Sequence, residues 1–152
     1  MTEHAQKARE LFVKGYNCSQ AVFAAFCDVT GMDEKTALRL SSSFGGGMGR
    51  MREVCGACTG MYALAGLLWG YDDAEDDEAK KQLYALVQKL SADFKADFGT
   101  ISCRDLLKGI AAGTTPTPTK RDEEFYKVRP CVAFVEKAAQ LIDKELEARK
   151  AL

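Results

Sequence analysis

The stretch EVCGACTG, residues 53–60, puts two of the chain's six cysteines three positions apart among glycines, directly before a long apolar run. Cys55 and Cys58 so placed have three possible uses: a redox pair, half of a metal site, or small residues packing a helix. Four of the six cysteines share one local setting. Cys18 follows Asn17, Cys55 opens the segment running through MYALAGLLWG, Cys103 follows Ser102, and Cys131 follows Pro130. Each is the expected first residue of a helix, because Asn and Ser are N-cap types and proline suits a first turn. A helix N-terminus leaves N–H groups unpaired and carries about half a positive charge, which favours thiolate over thiol. Thiols there have pKa values lowered from about 8.5 into roughly the 3.5–7.5 range.

Buried structural cysteine has no preference for helix ends, so four helices each opening on cysteine point to one shared site. Its members are Cys18, Cys55, Cys103 and Cys131. Cys27 falls nine residues after Cys18, which at about 100° per residue faces the opposite side of one continuous helix. It reads as core filler. Cys58 lies on nearly the same face as Cys55 and either resolves a disulfide with it or packs.

Thiol redox chemistry is the first function such a site supports. A low-pKa thiolate attacks a disulfide or persulfide, and a second cysteine resolves the intermediate. Cys55 is the expected attacking thiol, since Arg50 and Arg52 stand just upstream; Cys58 or another helix-start cysteine resolves. The second function is metal binding: Cys18, Cys55, Cys103 and Cys131 as four thiolates suit zinc or an iron–sulfur cluster. Against it, no second C-x-x-C completes the usual ligand spacing. A c-type haem is excluded, because Thr59 stands where histidine is required.

The segment SFGGGMGRMR adds candidate anion-binding positions at Gly46, Gly47, Gly49 and Arg50, suited to a phosphate, flavin or sulfur oxyanion. Its spacing fits neither the dinucleotide fingerprint nor the P-loop. A flexible turn letting two helices approach, at the border of the cysteine site, is the simpler reading. A bundle serving only as scaffold is the third class of function.

The elements that must position these residues are helices. Apolar residues recur at helical spacing and no alternating strand pattern persists. The expected helices cover 2–14, 18–30, 34–44, 54 or 55 to 70, 74–98, 103–111 and 130–150. The segment GTTPTPTKRD cannot be helical, since its prolines fix φ and lack a donor; it is a mobile loop or a lid. The whole, 1–152, reads as one all-α domain, a bundle of six or seven helices. His4, in the first turn, reads as solvated, and Glu123, Glu124, Asp72 and Asp73 as facing water. Trp69, Tyr62, Tyr71 and Tyr84 read as core aromatics.

Composition narrows the partners. Hydrophobic residues make up 47% and charged residues 28%, with a net charge of −1, so no basic surplus draws the chain to nucleic acid. No apolar run reaches membrane-spanning length, and the amphipathic start MTEHAQKARELF is unlike a signal peptide. The expectation is a cytoplasmic protein whose thiols are kept reduced.

The ordered set NCSQAV, FGGGMGRMREVCGACTG, SCRDLL and RPCVAFV resembles the C_GCAxxG_C_C family of redox-active proteins over about residues 9–140. That family is marked by four cysteines and a CGAxxG motif, here Cys55 to Gly60. The resemblance implies that the four are Cys18, Cys55, Cys103 and Cys131. Cys58 then holds a variable motif position and Cys27 falls outside, so no C-x-x-C mechanism comes from the family. A similar cysteine domain in split-Soret cytochromes keeps an iron–sulfur cofactor in view. Family members are often encoded near transporter genes, which implies a functional link to a membrane transporter. The redox partner, or small thiol or sulfur substrate, stays open, as does a homodimer.

Overall fold

The computed structural model describes residues 1–110 and 112–150, and among them there are nine α-helices and no β-strand. The helices are α1 (Glu3–Lys14), α2 (Cys18–Ala24), α3 (Cys27–Thr30), α4 (Glu34–Ser41), α5 (Gly56–Trp69), α6 (Asp77–Phe98), α7 (Cys103–Leu106), α8 (Glu123–Val128) and α9 (Cys131–Lys150). Six of them have seven residues or more, and the short helix expected over 103–111 is α7, which ends at Leu106, while residue 111 lies outside the described residues; the two helices beyond the expected seven are α3 and α8.

Helix starts are set by side-chain caps. Asn17 and Gln20 form a capping box, each side chain accepting from the other's N–H at 2.9 and 3.0 Å, an arrangement that satisfies two orphan donors at once. Asp33, Asp76, Ser102 and Asp122 cap α4, α6, α7 and α8 through single side-chain oxygens. At α5 the N-cap residue is Cys55, and no side chain caps the helix.

The core lies between α2 and α5, closed by α1 and α9 on one side and by α6. Phe12, Phe26, Met61, Leu64, Phe94 and Ile142 are its largest fully buried side chains. Helix α5 is apolar almost all round because it runs through the middle. Its glycines let α2 come close: a Cβ on Gly60 would stand 2.9 Å from the Ser19 carbonyl oxygen, and one on Gly56 would stand 3.2 Å from the Cys18 Cβ.

Several expectations need correction. The continuous helix expected over 18–30 is broken after Ala24, and Phe26 precedes the separate α3. No glycine or proline causes the break. Phe26 leaves helical geometry and stacks on the His4 ring, centroids 4.1 Å apart. His4 is therefore not solvated: Nδ1 bonds Asp143 at 2.7 Å and Nε2 bonds Asp28 at 2.9 Å. Helix α8 forms where a connection was expected, because Asp122 caps it and Phe125 is buried beneath it. Tyr71 and Tyr84 are exposed and bond each other through their hydroxyls at 2.8 Å. Among the described residues no helix is long and apolar enough to cross a membrane.

Candidate functional site

Four helix starts meet at one cavity. Cys18, Cys103 and Cys131 are the first residues of α2, α7 and α9, and Cys55 is the N-cap of α5. All four line a cavity of about 550 Å³. Cys18 is half-buried, while Cys55, Cys103 and Cys131 are buried. Cys58 lies one turn into α5, fully buried behind Cys55, and neither it nor Cys27 reaches the cavity.

Two local devices bring the sulfurs together. Gly56 and Gly60, one turn apart on α5, allow the close approach to α2 that sets Cys18 beside the start of α5. An isolated antiparallel bridge, Val54 to Ser102, then ties α5 to α7. The Cys55 N–H donates to the Ile101 carbonyl at 2.7 Å and the Cys103 N–H to the Glu53 carbonyl at 2.6 Å.

The glycine segment between α4 and α5 is a left-handed coil rather than a loose turn. Gly46, Gly47, Met48, Gly49 and Arg50 have φ between 58° and 70°, and Arg52 has φ 61°. Three of these six are not glycine, each at a cost of about 1–2 kcal/mol. The coil closes on itself: the N–H groups of Gly49 and Arg50 donate to the Ser43 and Gly45 carbonyls at 2.8 and 3.1 Å. Gly46, Gly47, Gly49 and Arg50 all border the cavity, but these two N–H groups are already spent.

The Pro/Thr segment borders the cavity, with Pro116, Pro118 and Thr119 among its lining residues. Arginines of the left-handed coil hold it there. Arg50 donates to the Thr115 carbonyl and the Thr119 hydroxyl, both at 2.7 Å, and Arg52 donates to the Gly113 carbonyl at 2.9 and 3.1 Å. Arg52 also reaches Cys103 Sγ at 3.7 Å.

Two further arginines border the cavity, and neither stood among the expected site residues: Arg121 and Arg129. Both guanidinium groups sit beside the Phe125 ring, at 4.5 and 4.9 Å. The available signal was the tripeptide RPC, which sets Arg129 two residues before Cys131.

Residues 16–145 match the family described as "Putative redox-active protein (C_GCAxxG_C_C)". The chain belongs to the C_GCAxxG_C_C family. No curated protein and no solved structure matches it. Of the C_GCAxxG_C_C motif, Gly56 and Gly60 here act as spacers between helices, and Cys55 is the residue they deliver to the cavity.

In this C_GCAxxG_C_C chain the sulfurs fall into unlike pairs. The neighbouring Cys18 thiol favours the Cys131 thiolate, so that the pKa of Cys18 is raised and that of Cys131 is held down at about 7 against the effect of burial. The positive charges of Arg129 and Arg121 act in the same downward direction on Cys131. Deeper in, the neighbouring Cys58 thiol favours the Cys55 thiolate, lowering the pKa of Cys55 and raising that of Cys58, and the N–H groups of Ala57 and Cys58 act in the same direction on Cys55. Burial raises Cys103, and Arg52 opposes it. The upstream arginines thus do not serve Cys55 as expected: Arg52 turns to Cys103 and Arg50 to the Pro/Thr segment. Cys27 opens the short α3 beside Glu34 and Asp28, and burial pushes its pKa up.

Metal ligation asks more of four sulfurs than a shared cavity. Among the described residues no three Cys, His, Asp or Glu side chains are placed to hold one metal ion.

Proposed function

We propose that this cavity carries out two-electron thiol–disulfide chemistry on a small sulfur compound. The observation that carries the reading is that cysteines from four separate helix starts line one cavity. Cys131 is the attacking sulfur and Cys18 resolves. The Cys131 thiolate attacks one sulfur of a substrate disulfide, forming a mixed disulfide and releasing one thiolate. Cys18 gives up its proton and attacks the Cys131 sulfur, and the second substrate thiolate leaves and takes that proton. The substrate is reduced by two electrons, and the protein is left with a Cys18–Cys131 disulfide. Cys55 with Cys58 is the second dithiol of the same kind, positioned to exchange with the first, and Cys103 is the reserve thiol under the control of Arg52.

Three features support the reading. Cys131, with a pKa of about 7, sits near the optimum for an attacking thiol at neutral pH. Cys18 keeps its proton until Cys131 is consumed, and is the more exposed of the two. A cytoplasmic setting would keep both thiols reduced and ready.

The experiment is a titration of the fully reduced protein with a small disulfide, followed by peptide mapping. Loss of two thiols per chain with a Cys18–Cys131 cross-link is the expected result, abolished by Cys131→Ser. Reaction confined to Cys27 would remove the proposal.

A further inference from the structure

The cavity has a charge imbalance that the sulfurs alone do not explain. Arg50, Arg52, Arg121 and Arg129 all border it, and no aspartate or glutamate does. Among the described residues none of the four pairs with a carboxylate, although exposed lysines and arginines elsewhere do. Even two thiolates in the cavity would leave the four guanidinium groups in excess.

Three of the four are already occupied. Arg50 and Arg52 hold the Pro/Thr segment, and Arg121 donates to the Phe12 and Tyr16 carbonyls, each at 3.1 Å. Arg129 is different. It is only 9% exposed, and among the described residues its side chain makes no hydrogen bond to any oxygen. Its neighbours are the Phe125 ring at 4.9 Å and the Cys131 sulfur. Its nitrogens are not sealed in the core but open to the cavity it borders, and a guanidinium presents five donors in a planar fork suited to an acid group.

We infer that the disulfide substrate is a small anion, whose acid group binds the Arg129 guanidinium while its S–S bond lies against Cys131. This rests on the thiol–disulfide reading above and adds the chemical class of the substrate. The space suits such a molecule: about 550 Å³ falls in the range of small-ligand pockets. Phe12, Leu107 and Phe134 supply apolar wall for the carbon chain between sulfur and acid group. The carboxylate, sulfonate or phosphate forms of that acid share this chemistry.

Three aliphatic disulfides of similar size and different charge test the inference: dithiodipropionate, bis(hydroxyethyl) disulfide and cystamine. Oxidation of the reduced protein by the dianion is expected to be roughly tenfold or more faster than by the dication, the scale of electrostatic focusing in a charged cleft. Arg129→Gln should collapse that preference and Arg129→Lys should retain most of it. Any effect of the substitution on Cys131 itself acts on all three probes and cancels in the ratio. The wild-type protein gives an independent reading, because the preference must shrink as salt is raised. Equal rates for the three probes, or a preference untouched by Arg129→Gln, overturn the inference while leaving the thiol–disulfide reading standing. Failure of all three to cross-link Cys18 to Cys131 overturns both.

Discussion

Gly60 of α5 lies against the backbone of Ser19 in α2, so close that a Cβ would stand 2.9 Å from the Ser19 carbonyl oxygen and 3.2 Å from the Val22 Cβ. Carbonyl oxygens inside a helix cannot swing aside, so a methyl group must spread the two helices. Gly60→Ala gains about 1 kcal/mol of helix propensity and loses about 1–3 kcal/mol to overpacking, for an expected net loss of about 1 kcal/mol. Gly66→Ala on the same helix, with nothing within 4 Å, gains the propensity alone. Urea unfolding should therefore move in opposite directions for the two variants. The same sign and size at both positions would end the spacer account of the motif.

Gly47 offers a similar comparison in the left-handed coil. Its φ is 70°, and a Cβ would meet the Cys103 Cβ at 2.6 Å and the Glu53 nitrogen at 2.7 Å. Gly49, at φ 58°, would meet only the Ser43 oxygen at 3.9 Å. Alanine at either position bears the left-handed cost of about 1–2 kcal/mol, but only Gly47→Ala adds the clash, for a total of about 2–5 kcal/mol. Thermal unfolding of the two variants checks the difference. Equal losses would mean that Gly47 serves backbone geometry and not the seating of Cys103.

The cysteine arrangement was legible because its signals are local. Asn17, Ser102 and Pro130 each mark a helix start, and the next residue is cysteine. What depended on distant contacts was not legible. Phe26 leaves the second helix and stacks on His4, and nothing around residue 26 announces that. Met48, Arg50 and Arg52 adopt positive φ without the glycine that usually signals it. Bonds from Arg50 and Arg52 to residues 113–119 help hold that geometry. Arg121 and Arg129 flank α8, itself too short to show a periodic pattern. Their meeting at Phe125 depends on how α8 packs over the cavity, which spacing along the chain does not record.

Arg50 should govern opening of the Pro/Thr segment. Its guanidinium makes three bonds to residues 113–119, the weakest to the Gly113 carbonyl at 3.3 Å, and the group is only partly buried. Hydrogen bonds from a charged donor are worth about 1.5–3 kcal/mol each when well made, and exposure reduces the three together to about 2 kcal/mol. Arg50→Ala should then raise that opening by roughly tenfold to thirtyfold. Hydrogen exchange across 113–121 and the alkylation rate of Cys103 should rise together. Faster exchange without faster alkylation would show that the segment does not control access to the sulfurs.

The pairing of Cys18 with Cys131 makes a prediction whose sign is fixed. A thiol donating to a thiolate stabilises the charged form, so removing the donor must raise the pKa of the acceptor. Wild-type Cys131 should alkylate with a midpoint at about pH 7, its rate low in acid and level above neutrality. Cys18→Ala removes the donor, and a bond to a charged acceptor is worth about 1.5–3 kcal/mol, or about 1–2 pH units at 1.36 kcal/mol each. The midpoint therefore moves upward, towards that of an ordinary thiol, and at neutral pH the rate falls about tenfold. Cys18→Ser keeps a hydroxyl donor at the same position and should shift the midpoint less. Burial alone would give a raised midpoint that does not move with the residue at 18, since it disfavours the thiolate in every variant. Iodoacetamide labelling across pH, read at Cys131 by peptide mass, distinguishes the two. An unchanged midpoint in Cys18→Ala would leave Arg129 and Arg121 as the whole cause of the depressed value, and Cys18 would lose its role as the proton-bearing partner.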